Sequence, residues 1–195
     1  SFKGYREEVN SQMANANDKK LIEEFRDPTS RNFAFSKLVN TYQERLYWHI
    51  RRIIIDHDDA DDVLQNTFIK AFKNLDKFRE DSQLYTWLYR IATNEALTFL
   101  KKQKRNLFVS LDDVGHSLAS KLESSSELNG DAIQYKLQQA ILTLPTKQRL
   151  VFNMKYFDEM KYEDIAEVTG TSVGALKASY HHAVKKIEAF VKQQF

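Results

Sequence analysis

Apolar residues recur at three- and four-residue steps over most of the chain between residues 35 and 99. This spacing places them along one side of an α-helix. Three such stripes follow one another, separated by Asp- and Ser-containing segments at 56–59 and 79–82. Asp and Ser side chains accept hydrogen bonds from backbone N–H groups at the start of a helix, so these segments indicate helix boundaries. The pattern therefore predicts three long amphipathic helices.

The apolar spacing fades after residue 105, where Ser, Asp, Glu and Gly become frequent, and it returns near Ile133. Two shorter helices are predicted there, the first of them stopped by Pro145. We therefore expect an all-α protein of two small helical domains, residues 21–105 and 131–195, joined by a flexible linker at 106–130.

Residues 162–176, with the sequence YEDIAEVTGTSVGAL, have the pattern of a helix-turn-helix. Ala166 is small enough for two helices to cross closely, Gly170 can adopt the left-handed conformation that ends the first helix, and Ser172 can cap the second. The second helix has short and polar side chains opposite its apolar stripe, and such a face can enter a major groove. The alternative is an ordinary helical hairpin with a solvated cationic face. The candidate groove-facing residues are Ser172, Gly174, Ala175, Lys177, Ala178, Ser179, His181, His182 and Lys185.

Composition narrows the possible chemistry. The net charge is only +2, and cysteine is absent, which excludes disulfides, thiolate nucleophiles and Cys-ligated zinc. His181 and His182 diverge as helix neighbours, so we expect no metal site. The sequence has no glycine-rich phosphate loop and no nucleophile elbow, which argues against a cofactor and against an enzyme. Without an apolar run long enough to cross a membrane, and with a polar N-terminus, the protein is expected in the cytoplasm.

Two separate segments resemble extracytoplasmic-function (ECF) sigma factors of bacterial RNA polymerase. The C-terminal half carries Leu144-Pro145, Ile165-Ala166 and Lys185-Lys186 in that family's order and spacing. The N-terminal half carries DADDVLQ at 59–65 and TWLYRIA at 86–92. The resemblance covers roughly residues 33–104 and 133–190. It implies a promoter-specific initiation factor that binds core RNA polymerase, duplex upstream DNA and the melted minus-ten strand, with an anti-sigma factor as a further partner.

The resemblance implies that core polymerase binds the helix following the aspartate-rich segment, through Asp62, Gln65, Asn66 and Ile69. An apolar Ile among amides is typical of a small interface centre with a polar rim. Asn66 stands where the family usually has Glu, which puts that contact's charge pairing in question.

The third helix resembles the family's minus-ten element, which captures a base flipped out of the melting duplex. Aromatic stacking of about 1–3 kcal/mol per base can offset much of the unstacking cost. Trp87 lies at the centre of the apolar stripe and is expected in the core. The residues implicated by position are Phe78, Arg79, Ser82, Tyr85, Tyr89, Arg90, Asn94 and Lys101.

The helix-turn-helix resembles the family's minus-thirty-five reader. The family often has Thr at the position of Ala175 and Arg near Ser179 and His182, so this chain has fewer cations there. DNA binding by this domain is therefore expected to depend less steeply on salt concentration and to prefer different bases. A rival hypothesis is a stand-alone helix-turn-helix regulator, which would bind duplex DNA tightly without polymerase.

Overall fold

The computed structural model describes residues 15–107, 118–125 and 130–193, and all regular structure within them is helical. The all-α prediction is confirmed. The helices are α1 (15–26), α2 (Arg31–Ile54), α3 (His57–Asn74), α4 (Leu84–Leu107), α5 (118–123), α6 (Ala132–Leu142), α7 (Thr146–Tyr156), α8 (Tyr162–Thr169) and α9 (Val173–Gln193).

The N-terminal domain is built from α2, α3 and α4, which pack against one another through the predicted apolar stripes. Leu38, Leu46 and Leu88 are fully buried at its centre. The break before α3 falls where the aspartates predicted it, since the Asp56 carboxylate accepts a hydrogen bond of 3.0 Å from the Asp59 backbone N–H. Helix α1 adds Phe25 to the core, where its ring packs edge-on against Phe72.

The C-terminal domain consists of α6 to α9, and α8 and α9 form the predicted helix-turn-helix. Gly170 ends α8 at φ 68° and ψ 22°, and its N–H donates to the Ala166 carbonyl oxygen. This left-handed conformation costs glycine little because it has no Cβ. The Ser172 hydroxyl accepts a hydrogen bond from the Ala175 N–H, as expected of a helix cap.

Part of the predicted linker is folded and lies against the N-terminal domain. Helix α4 continues to Leu107, and α5 buries Leu118 and Leu122 in the core. The Lys121 ammonium is 3.0 Å from a carboxylate oxygen of Asp59 at the start of α3. Thus the segment predicted to be a flexible connector includes a docked helix, because two leucines one turn apart give it an apolar side. Residues 108–117 and 126–129 of the predicted linker lie outside the described residues.

The two domains touch, and the buried apolar core runs continuously from one into the other. Its C-terminal members include Leu150, Met154, Met160 and Ile165. The main contact is between α8 and α4, with a smaller one between α7 and α2. None of the helices in the described part of the chain is both long and apolar enough to cross a membrane.

Candidate protein and nucleic-acid interfaces

The predicted polymerase-binding residues form one exposed face of α3. Gln65 and Asn66 lie three and four positions after Asp62 and four and three positions before Ile69, so the four residues share one side of the helix, and all four are exposed. Ile69 is 51% exposed although it is apolar, whereas Phe68 beside it in the sequence is buried. The helix therefore presents an isoleucine to solvent within a polar surface, and this is suited to a protein contact.

Four of the predicted minus-ten residues, Phe78, Arg79, Ser82 and Arg90, line a cleft of about 440 Å³ at the start of α4, and Tyr85 and Tyr89 lie outside its lining. The loop residues Arg79 and Ser82 line it together with Arg90 of α4, and both arginines are exposed. Phe78 is buried and packs against Trp87 with ring centroids 5.3 Å apart. Trp87 was expected in the core but is only partly buried, and it forms an aromatic wall of the cleft. Asn94 and Lys101 are exposed further along α4 and are not among the residues that line this cleft.

The two predicted minus-ten tyrosines differ in accessibility. Tyr85 is partly exposed, whereas Tyr89 is fully buried. The guanidinium carbon of Arg45 lies 5.0 Å from the Tyr85 ring centroid and 5.4 Å from that of Tyr89. Arg45 belongs to α2, and the sequence pattern gave no signal of this distant contact.

Burial is the largest cause of a raised pKa at both phenols. Burial, followed by the hydrogen bond to the Asp164 carboxylate, raises the pKa of Tyr85 to about 12. Burial, followed by the charge of Asp158, raises the pKa of Tyr89. Both side chains are therefore neutral at physiological pH, so their hydroxyls remain hydrogen-bond donors.

The outward face of α9 is exposed along its first three turns. Gly174, Ala175, Lys177 and Ala178 are all accessible, as are Ser172, His181, His182 and Lys185, while Ser179 is partly buried. The opposite side buries Leu176, Ala183 and Ile187. The Lys177 ammonium lies 5.8 Å from the Tyr162 ring centroid. Short side chains at the start of a helix permit close approach to base edges.

Asp158, in the loop between α7 and α8, connects the C-terminal domain to α2. Its side chain is 5% exposed and has carboxylate oxygens 3.5 Å from His49 Nδ1 and 3.6 Å from Arg52 Nη1. The Arg52 guanidinium also lies 4.4 Å from the ring centroid of Phe157. Burial lowers the pKa of Arg52, and Asp158 acts in the opposite sense. No pattern in the sequence indicates this contact.

Each half of the chain matches a model of a known protein family. The Sigma-70 region 2 model matches residues 38–106, and the Sigma-70 region 4 model matches residues 134–187. The first match contains the exposed face of α3 and the cleft on α4, and the second contains the helix-turn-helix. The chain is thus a transcription-initiation factor of the sigma-70 class.

Similar proteins narrow the sigma-70 class to one family. The ECF RNA polymerase sigma factor SigW of Bacillus subtilis is 32% identical over 156 residues, covering 76% of this chain and 83% of SigW. The RNA polymerase sigma-H factor of Pseudomonas aeruginosa is 34% identical over 179 residues, covering 88% of this chain and 92% of the relative. The chain belongs to the ECF family of RNA polymerase sigma factors. A stand-alone regulator is not favoured, because both halves match sigma-factor regions.

Two solved structures share the fold. CnrH, in complex with the cytosolic domain of CnrY, superposes with a TM-score of 0.66 at 24% identity, covering 92% of this chain and 99% of that one. The sigma factor RpoE of Bartonella quintana, in complex with the anti-sigma factor NepR, has a TM-score of 0.64 at 21% identity, covering 81% and 96%. These likenesses support the two-domain helical architecture.

Proposed function

We propose that this sigma factor attaches to core RNA polymerase through the exposed face of α3. The single observation that carries the proposal is Ile69, which is half exposed between polar neighbours. Burying it against a partner removes apolar surface from water, while Asp62, Gln65 and Asn66 supply hydrogen bonds at the rim.

The cleft on α4 is the proposed site for the melted minus-ten strand. Arg79 and Arg90 would neutralise phosphates, and bases could stack on the ring of Trp87, which lines the cleft, and on that of Tyr85, which is partly exposed on the same helix. Tyr89 is fully buried, so it would reach DNA only after the residues that cover it move. The other proposed contacts are Phe78, Ser82, Asn94 and Lys101.

The outward face of α9 is the proposed reader of duplex DNA upstream. Lys177 and Lys185 would bind phosphate or guanine, and Ser179, His181 and His182 would bind base edges. Ser172, Gly174, Ala175 and Ala178 would permit close approach to the groove.

We also propose that the protein acts in the cytoplasm and catalyses no reaction itself, because the polymerase forms all the bonds of the transcript. It also includes a regulator of the anti-sigma class. Support comes from the NepR complex of the structurally similar Bartonella quintana factor.

Transcription in vitro tests these assignments. Core polymerase plus this protein is first used to select active promoters from DNA with randomised upstream sequence, and variants are then compared on the selected templates. Arg79→Ala/Arg90→Ala should lower initiation on duplex templates by about tenfold, because two phosphate contacts to the melted strand are lost. A template melted in advance around the start site should restore part of the activity, and core binding should be unchanged.

Lys147→Ala/Lys192→Ala is the matched control, since it removes two exposed cations outside both proposed DNA sites. Its initiation should equal that of the wild type. An equal loss in both double variants would contradict the assignment of the cleft. Failure of the wild-type protein to confer selective initiation on core polymerase would contradict the proposed function as a whole.

A further inference from the structure

An acidic helix of the C-terminal domain lies over the proposed minus-ten site. Helix α8 packs on α4, and the Tyr85 hydroxyl donates a hydrogen bond to the Asp164 carboxylate. Tyr85 is one of the residues proposed to hold the melted DNA strand. Its hydroxyl donor is therefore occupied by a carboxylate of the same chain.

A second carboxylate, Glu167, reaches the cleft itself. It lies three residues after Asp164 on α8 and lines the cleft together with Arg79, Ser82 and Arg90. Carboxylate and phosphate oxygens accept hydrogen bonds from the same arginine and hydroxyl donors. The two anionic groups of α8 thus face the donors that a DNA strand would need.

A second contact between the two domains supports the packing of α8 on α4. Asp158 precedes α8 by a few residues and inserts between His49 and Arg52 of α2. Ile165 and Val168 on α8 are buried in the core that spans both domains. With Asp158 fixed on α2 and α8 packed on α4, Glu167 has a defined position in the lining of the cleft and Asp164 has a defined position against Tyr85.

We propose that Asp164 and Glu167 act as an intramolecular competitor of promoter DNA, occupying the minus-ten site in the free protein. The inference rests on the proposed function of the cleft. A single strand can enter only after α8 leaves α4, so the free chain is expected to bind single-stranded DNA weakly. The acidic side chains thereby couple separation of the domains to DNA capture.

Binding of a fluorescein-labelled, mixed-sequence, single-stranded oligonucleotide to the full chain without polymerase tests the proposal. Asp164→Asn/Glu167→Gln should tighten the apparent Kd by about tenfold, because the binding-competent fraction rises. Glu163→Gln/Glu188→Gln changes the net charge equally at exposed positions of the same domain that do not line the cleft. This control should change the Kd by no more than about twofold, which is the effect expected of screened, distant charge.

Domain separation is measured in parallel by energy transfer. The sequence has no cysteine, so Glu44→Cys/Lys192→Cys allows one dye to be placed on each domain. In this labelled background Asp164→Asn/Glu167→Gln should lower the transfer efficiency, and the control pair should not. Equal affinity in the two double variants, or tighter DNA binding without any loss of transfer, would overturn the proposal.

The same variants separate this inference from the proposed function. If Arg79→Ala/Arg90→Ala impairs initiation by holoenzyme while Asp164→Asn/Glu167→Gln leaves the free protein unchanged, the cleft binds DNA but the competitor does not exist. If the arginine variant initiates normally, the assignment of the cleft itself fails.

Discussion

Truncation of the exposed α3 face, Gln65→Ala/Ile69→Ala, should weaken the association with core polymerase without unfolding the protein. Both side chains are exposed, and Ile69 retains about half of its surface in water. Exposed substitutions away from caps and charge networks usually change the free energy of unfolding by less than about 0.5 kcal/mol. The thermal unfolding curve should therefore overlay that of the wild type.

The expected loss of binding free energy follows from the exposed surface of Ile69 that polymerase would bury and from the hydrogen bond that Gln65 would make. Complete burial of an isoleucine contributes about 1.5–3 kcal/mol, so burying the exposed half contributes roughly 0.7–1.5 kcal/mol. A hydrogen bond from Gln65 adds about 0.5–1.5 kcal/mol. Together they give about 2 kcal/mol, and since about 1.4 kcal/mol is tenfold, the Kd should rise roughly 30-fold.

Fluorescence anisotropy of labelled protein titrated with core polymerase measures the Kd directly. Ile133→Ala is the matched control, because Ile133 is an isoleucine that is 73% exposed on α6 of the other domain. It should leave the Kd within about twofold of the wild type. An unchanged Kd for the double variant, or an equal loss for the control, would refute the reasoning that Ile69 is the centre of the contact.

Three further predictions concern single residues. Lys177→Ala should reduce the salt slope of upstream-duplex binding by holoenzyme by about 1 without altering core affinity, and a change in melting temperature alone would point to packing. Asp56→Ala should cost about 1 kcal/mol in urea unfolding, more than Asp58→Ala, because Asp56 carries the cap. Gly170→Ala should cost about 1–2 kcal/mol through backbone strain alone, since its Cβ would meet nothing, whereas Gly174→Ala within α9 should not destabilise.

Local patterns predicted the helices because each helix buries its own stripe. The stripe from Phe35 to Ile53 corresponds to α2, and the aspartates before α3 include the cap that the structure contains. The turn at Gly170 could be predicted because a left-handed helix end favours one residue type. The exposed side of α9 followed from the position of its apolar stripe.

Contacts between distant segments could not be predicted in this way. The leucines of α5 suggest an apolar side, but their spacing does not identify Asp59 and Arg51 as neighbours of Lys121 and Ser125. Likewise Tyr85 and Tyr89 are one helical turn apart on α4, and their spacing does not indicate that Asp164 and Asp158 of the other domain lie close to them. Periodicity indicates that a face is covered and does not indicate what covers it.

The seam around Asp158 affects how readily the two halves part. His49 Nδ1 and Asp158 Oδ2 are both buried and face each other at 3.5 Å, and among the described residues neither atom makes a hydrogen bond of normal geometry. A buried polar pair of this kind, without further hydrogen bonds, recovers only part of the free energy that its desolvation costs. Rehydration of both atoms on opening offsets some of the apolar surface that is exposed, so closure is weaker than its continuous core suggests. A partner that binds the separated halves more tightly than the closed chain can therefore drive them apart, by as much as those two affinities differ, while each half keeps its own helices.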